Sequence, residues 1–265
     1  MAELRFTVLG CGSSGGVPRV GRVWGACDPE NPRNARHRCS LLVERIDGKA
    51  VTRVLIDTSP DLRYQLLAAD VGVVDAVAYT HGHADHTHGI DDLRMIVFTL
   101  RHRLPIWADA VTQDKLISSF GYVFVQPEGS DYPPILDMRT IDGPFTIDGA
   151  AGPITLTPIR VHHGNIDALG FRIGDLAYMP DVNEIPDTAW PALEGLDCWI
   201  VDALRYAPHP SHAHLARTLG WIGRAAPRRA YVTNLHIDMD YQTVLDETPA
   251  HVEPAYDGLT IRYDL

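Results

Sequence analysis

The chain has 265 residues, 45% of them hydrophobic and 22% charged, and a formal net charge of −11. That balance describes an ordinary globular chain of one larger domain, residues 1–265, and excludes a disordered or low-complexity scaffold. No run of 18 apolar residues is present, which excludes a membrane-spanning helix, and the acidic excess without a basic stripe argues against a nucleic-acid partner.

The N-terminal residues lead into a strand at 4–9 without a signal-peptide core, so a cytoplasmic protein is expected. Its cysteines, Cys11, Cys27, Cys39 and Cys198, show no paired spacing and read as reduced thiols. Cys11 stands in a Gly-rich turn and is retained as an alternative ligand. Arg33, Arg36 and Arg38 form a small basic cluster; a guanidinium fork fits phosphate oxygens, so Arg36 and Arg38 are candidate substrate-binding residues, with a solvated loop as the plain alternative. Strands are predicted at 40–45 and 51–56. Asp57 to Asp61, with Pro60 near the first turn, starts a helix over 62–69; Asp57 is either its cap or a support for nearby ligands.

The apolar run at 73–79 reads as a buried strand and leads into Thr80-His81-Gly82-His83-Ala84-Asp85-His86-Thr87-His88-Gly89. In extended chain, residues two apart point the same way, so His81 and His83 face one side. Asp85 and His86 then turn toward another. Imidazole and carboxylate without thiolate suit a water-activating divalent metal, and H-x-H-x-D-H carries more ligands than one open ion needs. Two ions side by side, zinc or manganese, are therefore expected, with hydrolysis by water activated between them. His88 reads as a solvent-facing or supporting residue.

Beyond the motif, a helix begins at Asp91, a strand lies at 105–108 and a helix at 112–121. Residues 126–134, rich in Pro, Gly and acids, form a loop and a candidate lid. Strands follow at 145–147, 154–161, 171–173, 177–179 and 198–201, then a helix opening at Pro210 to Leu215 and a strand ending near His236.

The motif His81, His83, Asp85, His86 resembles the signature of the metallo-β-lactamase-fold hydrolases, and the other strand ends fall in the family's order. Arg160-Val161-His162-His163-Gly164 is similar to the strand end carrying the third histidine of the first ion, with His163 preferred over His162. Ala177 to Asp181 is similar to the one carrying the bridging aspartate, and Tyr231 to His236 to the one carrying the last histidine of the second ion. Taken singly, Asp181 reads equally well as a turn residue and His236 as a core histidine. The resemblance implies the metal ligands His81, His83, Asp85, His86, His163, Asp181 and His236, and a four-layer αββα sandwich of the α/β (α+β) class.

Pro210-Ser211-His212-Ala213-His214-Leu215 resembles the S-H-x-x-L context of the phosphodiesterases of this fold, in which the histidine acts on the phosphate and leaving group. His212 and Asp85 are accordingly the candidate catalytic residues, and His212 also a substrate-binding one. Leu9 to Arg19 and His37 to Ser40 are similar to the phosphoribosyl 1,2-cyclic phosphate phosphodiesterases. Trp24-Gly25-Ala26-Cys27 departs from that type: it has one cysteine and no C-x-C-x-x-C spacing, so no structural zinc is expected there. The expected activity is hydrolysis of a small anionic, cyclic phosphodiester. A lactone or thioester hydrolase, a tRNA 3′-processing endonuclease and a non-catalytic accessory protein are the alternatives, and a homodimer stays open.

Overall fold

The computed structural model describes residues 2–126 and 128–265; Pro127, inside the expected loop 126–134, lies outside the described residues. Two compact units divide the chain. The first is built from Ser40–Thr155 together with residues 2–9 and Thr260–Leu265, and the second from Gly10–Cys39 and Leu156–Leu259. No described helix is long and apolar enough to cross a membrane.

In the first unit, Thr260–Asp264 pairs antiparallel with β1 (Glu3–Gly10), Phe6 standing opposite Ile261. The sheet continues through β2 (Ser40–Asp47), β3 (Ala50–Ile56), β4 (Ala76–Ala78), β5 (Leu104–Ala108) and β6 (Leu136–Thr140). β2 and β3 form an antiparallel hairpin, whereas β3 to β6 run parallel. Parallel strands need crossovers. These are α1 (Leu62–Ala68), α2 (Ala84–Thr87) with α3 (Leu93–Leu100), and α4 (Ala110–Phe124). Leu62 and Leu66 of α1, Leu93 and Ile96 of α3, and Leu116 of α4 share one core with Leu55, Val77 and Ile106 of the strands. On α3 the buried Leu93, Ile96 and Val97 recur at helical spacing while Met95 and Phe98 face out. Because β3 and β4 are parallel with Ile56 beside Ala78, the residues after both strands leave the same sheet edge.

The strand expected over 73–79 is confined to β4. Asp75 takes the Arg53 amide on its side chain at 2.7 Å, which ends the ladder before Val74. The edge strand β6 was not expected, since only Leu136 in it is fully buried and the pattern lacks alternation.

β7 (Phe145–Ile147) closes the first unit, and β8 (Ile154–His163) begins there, Thr155 Oγ1 lying 2.9 Å from Thr146 Oγ1. β8 then runs into the second unit and turns back as β9 (Ile166–Ile173), followed by β10 (Leu176–Met179), β11 (Cys198–Asp202), α5 (Leu215–Ala225), β12 (Arg229–Thr233), α6 (Tyr241–Glu247) and β13 (Val252–Pro254). β8, β9 and β10 are antiparallel, and β10 to β13 parallel. Leu215 and Ile222 of α5 and Val244 of α6 bury against Val201 and Val232. Parallel register sets Met179 beside Val201 and Asp202 beside Thr233, so Asp181, Asp202 and Asn234 emerge at one edge.

Candidate metal centre

In the first unit, His81 and His83 leave β4 in extended chain and present ring nitrogens within 4.8 Å of each other. Their ring centroids are 4.6 Å apart, and the single turn α2 returns His86 to within 4.4 Å of His81. One buried carboxylate organises them. Asp57 accepts the Thr80 amide at 2.8 Å, the Thr80 hydroxyl at 2.8 Å and His86 Nδ1 at 2.8 Å. The lone hydroxyl proton of Thr80 goes to Asp57, so His81 Nδ1 donates to Thr80 across 3.0 Å. With Nδ1 of each ring engaged, the Nε2 atoms carry the lone pairs, the tautomer metal-binding imidazoles require. His86 Nε2 lies 3.7 Å from Asp85 Oδ2. Burial raises the Asp57 carboxyl above its ordinary value, and the His86 ring opposes that. Asp57 adopts φ +64°, a left-handed conformation that Asp tolerates better than bulkier residues do.

The second unit repeats this logic. His163 ends β8; its Nδ1 donates to the Ser211 carbonyl at 2.6 Å, and its Nε2 stands 3.4 Å from Asp181 Oδ2. Strand alternation decides between the adjacent histidines: His163 is buried, whereas His162 points outward and bonds Asp167 at 2.9 Å. Asn234 donates to Asp181 Oδ1 at 3.2 Å and to the Pro180 carbonyl at 3.1 Å. His212 donates Nδ1–H to Asp202 at 2.9 Å, its ring 4.6 Å from that of His163, which leaves Nε2 as its working nitrogen. Burial pushes the Asp202 carboxyl up, and His212 pulls it back.

The remaining candidates fall out differently. The ring nitrogens of His236 face the Arg19 guanidinium and the Asp238 carboxylate. Burial first, then Arg19, holds its basicity down to about 4, and the ring is neutral, the form that can bind a metal. Arg36 is not at an open rim. Alternation along residues 34–37 turns it inward, where its guanidinium meets Asn34 at 3.0 Å and the Cys27 sulfur at 3.8 Å. Arg38 is half-buried, its stem beside Gly16. Cys11 faces Asp257 at 3.5 Å, and burial raises its thiol. His88 is exposed, edge-on to Phe120.

Asp202, Thr80, the Ser211 carbonyl, Arg19 and His209 escaped the sequence reading. Asp202 carried a usable signal: an acid directly after an apolar strand, as at Asp181. His209, whose ring accepts from the Ser211 amide at 3.3 Å and lies 5.1 Å from His212, had none.

The ring nitrogens of His81, His83 and His163 and the Asp181 carboxylate are the donor types a divalent ion takes. Residues 52–237 match the family described as the β-lactamase superfamily domain. A crystal structure described as a new diphosphatase from the PhnP family is 33% identical, with a TM-score of 0.86, over 99% of this chain and 98% of that one. The metallo-β-lactamase-fold protein YhfI from Bacillus subtilis is 21% identical over 99% of this chain and 100% of its own, with a TM-score of 0.72, a likeness of fold. An octanoyltransferase from Porphyromonas gingivalis (strain ATCC BAA-308 / W83) is 35% identical over 263 residues, 97% of this chain; the chain spans about half, 51%, of that relative's length. Two mixed sheets with helical crossovers, and histidines and aspartates at their strand ends, define a metal-dependent hydrolase of the metallo-β-lactamase fold. The chain belongs to the β-lactamase superfamily and, within it, to the PhnP family.

Proposed function

We propose that the chain is a dinuclear-metal phosphodiesterase acting in the cytoplasm on a small anionic, cyclic phosphodiester. The observation that carries this reading is the His212–Asp202 pair beside His163. A lactonase or thioesterase can run on metal ligands alone, whereas an imidazole with Nδ1 anchored and Nε2 presented is a general acid for a poor alkoxide leaving group. The description of the 33% identical relative as a diphosphatase supports phosphorus chemistry.

In this reading His81, His83, Asp85, His86, His163, Asp181 and His236 would together hold two divalent ions. Zinc and manganese both suit that donor set. When bound, the ions supply Lewis acidity and bring the pKa of water toward about 7. Asp57, through Thr80 and directly, keeps the His81 and His86 rings aimed; the Ser211 carbonyl does so for His163. Asp202 stabilises the cationic form of His212. His212 steadies a phosphoryl oxygen and then passes its Nε2 proton to the departing alkoxide. Arg38 remains the candidate guanidinium for the substrate phosphate, while Arg36 secures its own loop. Acyl transfer through a cysteine is disfavoured, because burial raises the thiols of Cys11 and Cys39 well above their ordinary value.

The test compares bis(p-nitrophenyl) phosphate with a lactone panel on metal-loaded protein. His212→Ala should cut turnover of an alkyl phosphodiester, whose alkoxide must be protonated, by about 10²–10⁴-fold, reduce that of bis(p-nitrophenyl) phosphate far less, and leave metal content intact. Metal loss in that variant, or faster turnover of lactones than of the diester by the parent protein, would contradict the reading.

A further inference from the structure

Among the described residues, six non-glycine residues take a left-handed backbone, and of these only Asp57 and Asn234 are buried. Each comes directly after a strand, and each turns a polar side chain onto the candidate site. Asp57 follows β3 and orders the rings of His81 and His86 in the first unit. Asn234 follows β12 at φ +62° in the second unit and is 2% exposed. Such a conformation persists only where the surroundings fix it, and it gathers at functional sites. The Asn234 amide nitrogen donates to the Pro180 carbonyl at 3.1 Å and to Asp181 Oδ1 at 3.2 Å. The amide stands only one way round, because turned over its oxygen would meet two acceptors. Both of its protons are therefore committed. The same nitrogen lies 3.2 Å from His212 Nδ1, which has two carboxylates within reach. Asp202 Oδ2 is 2.9 Å from that Nδ1 and Asp181 Oδ2 is 3.9 Å from it. Two donors, the Asn234 amide and the His212 Nδ1–H, thus compete for Asp181, and the amide holds it.

We propose that Asn234 is a positioning residue that allots the two carboxylates, keeping Asp181 for the metal ions and Asp202 for His212. With Oδ1 held by the amide, Asp181 keeps Oδ2 beside His163 Nε2, 3.4 Å away and among the metal-binding donors. An Asp181 shared with His212 would offer less charge to an ion, and a His212 turned toward Asp181 would lose the aim of its Nε2. The His212 half of this proposal rests on the phosphodiesterase reading, whereas the Asp181 half rests on the donor cluster alone.

Asn234→Gly tests it on the full chain, because glycine takes the left-handed backbone freely and removes the amide alone. The substitution should weaken zinc binding about 10- to 100-fold in chelator competition. On metal-loaded protein it should lower kcat for an alkyl phosphodiester at least about 10-fold more than for bis(p-nitrophenyl) phosphate, since the alkoxide needs the His212 proton. Asn234→Ala adds backbone strain to the same losses and should also show a lower urea midpoint. Parental zinc affinity and a parental ratio of the two substrates in Asn234→Gly, with only Asn234→Ala impaired, would mean that the residue serves the backbone, and would overturn the proposal. A measurement on the parent protein stands in for any variant that fails to fold. Zinc added to metal-free, ¹⁵N-labelled protein should shift the side-chain amide signals of Asn234, because one of its acceptors takes the ion; unmoved signals overturn the proposal. If the parent cleaves neither diester, the phosphodiesterase reading falls alone, and zinc affinity and the amide shift still decide the role of Asn234.

Discussion

His81, Thr80, Asp57 and His86 form one hydrogen-bonded chain, so a single carboxylate sets the aim of two imidazoles. Replacing it leaves the His86 Nδ1–H and the Thr80 amide buried without their acceptor. Asp57→Ala should therefore weaken metal binding about 10- to 100-fold, read by chelator competition. Affinity equal to that of the parent would show that Asp57 is an ordinary strand-end residue. The four motif side chains were legible because they are local: six residues, 81–86, carry them, straight after an apolar run. Of their supports, Asp57 was legible only as an alternative to a helix cap, and Asp202 was not. Asp57 lies 23 residues before Thr80 and 29 before His86, and Asp202 acts on a histidine ten residues later through a loop whose course no spacing encodes. His163 was preferred over His162 from the sequence, and burial along β8 then separates them, His163 facing in and His162 out.

At the scale of elements, the β8–β9 hairpin fixes His163. Its two-residue turn begins with Gly164 at φ +66°, and a Cβ there would lie 2.8 Å from Ser211 Cβ. Gly164→Ala thus combines left-handed strain with a clash against the residue whose carbonyl holds His163. It should cost roughly 1–3 kcal/mol in urea denaturation and lower bound metal as well; an unchanged midpoint would contradict the geometry. A second element-level test lies in the first sheet. Glu44 on β2 is buried and binds Arg5 of β1 at 2.7 Å and Arg53 of β3 at 2.9 Å. Both arginines are partly exposed, so solvent screens the pairs. Glu44→Ala should still cost about 1–3 kcal/mol in urea denaturation, because two donors lose their acceptor; a cost near zero would mean water replaces the carboxylate fully. Strands that are buried on both faces announced themselves in the sequence. The short edge elements β6 and β13 and the seven-residue α6 did not, because tertiary contact rather than pattern stabilises so few residues.

Over the whole chain, all four cysteines are free and buried. Burial is the first cause raising each thiol, and Cys198 is pushed up to about 12. Since a raised value means less thiolate at a given pH, native protein at pH 8 should react with Ellman's reagent far more slowly than the guanidinium-unfolded chain, which should release four equivalents. Fast native reaction of any thiol would contradict the burial. The central proposal, that these histidines and aspartates bind two divalent ions, is tested most directly by metal analysis. Protein supplied with zinc or manganese and then gel-filtered should retain about two equivalents per chain, and protein retaining none would contradict the account.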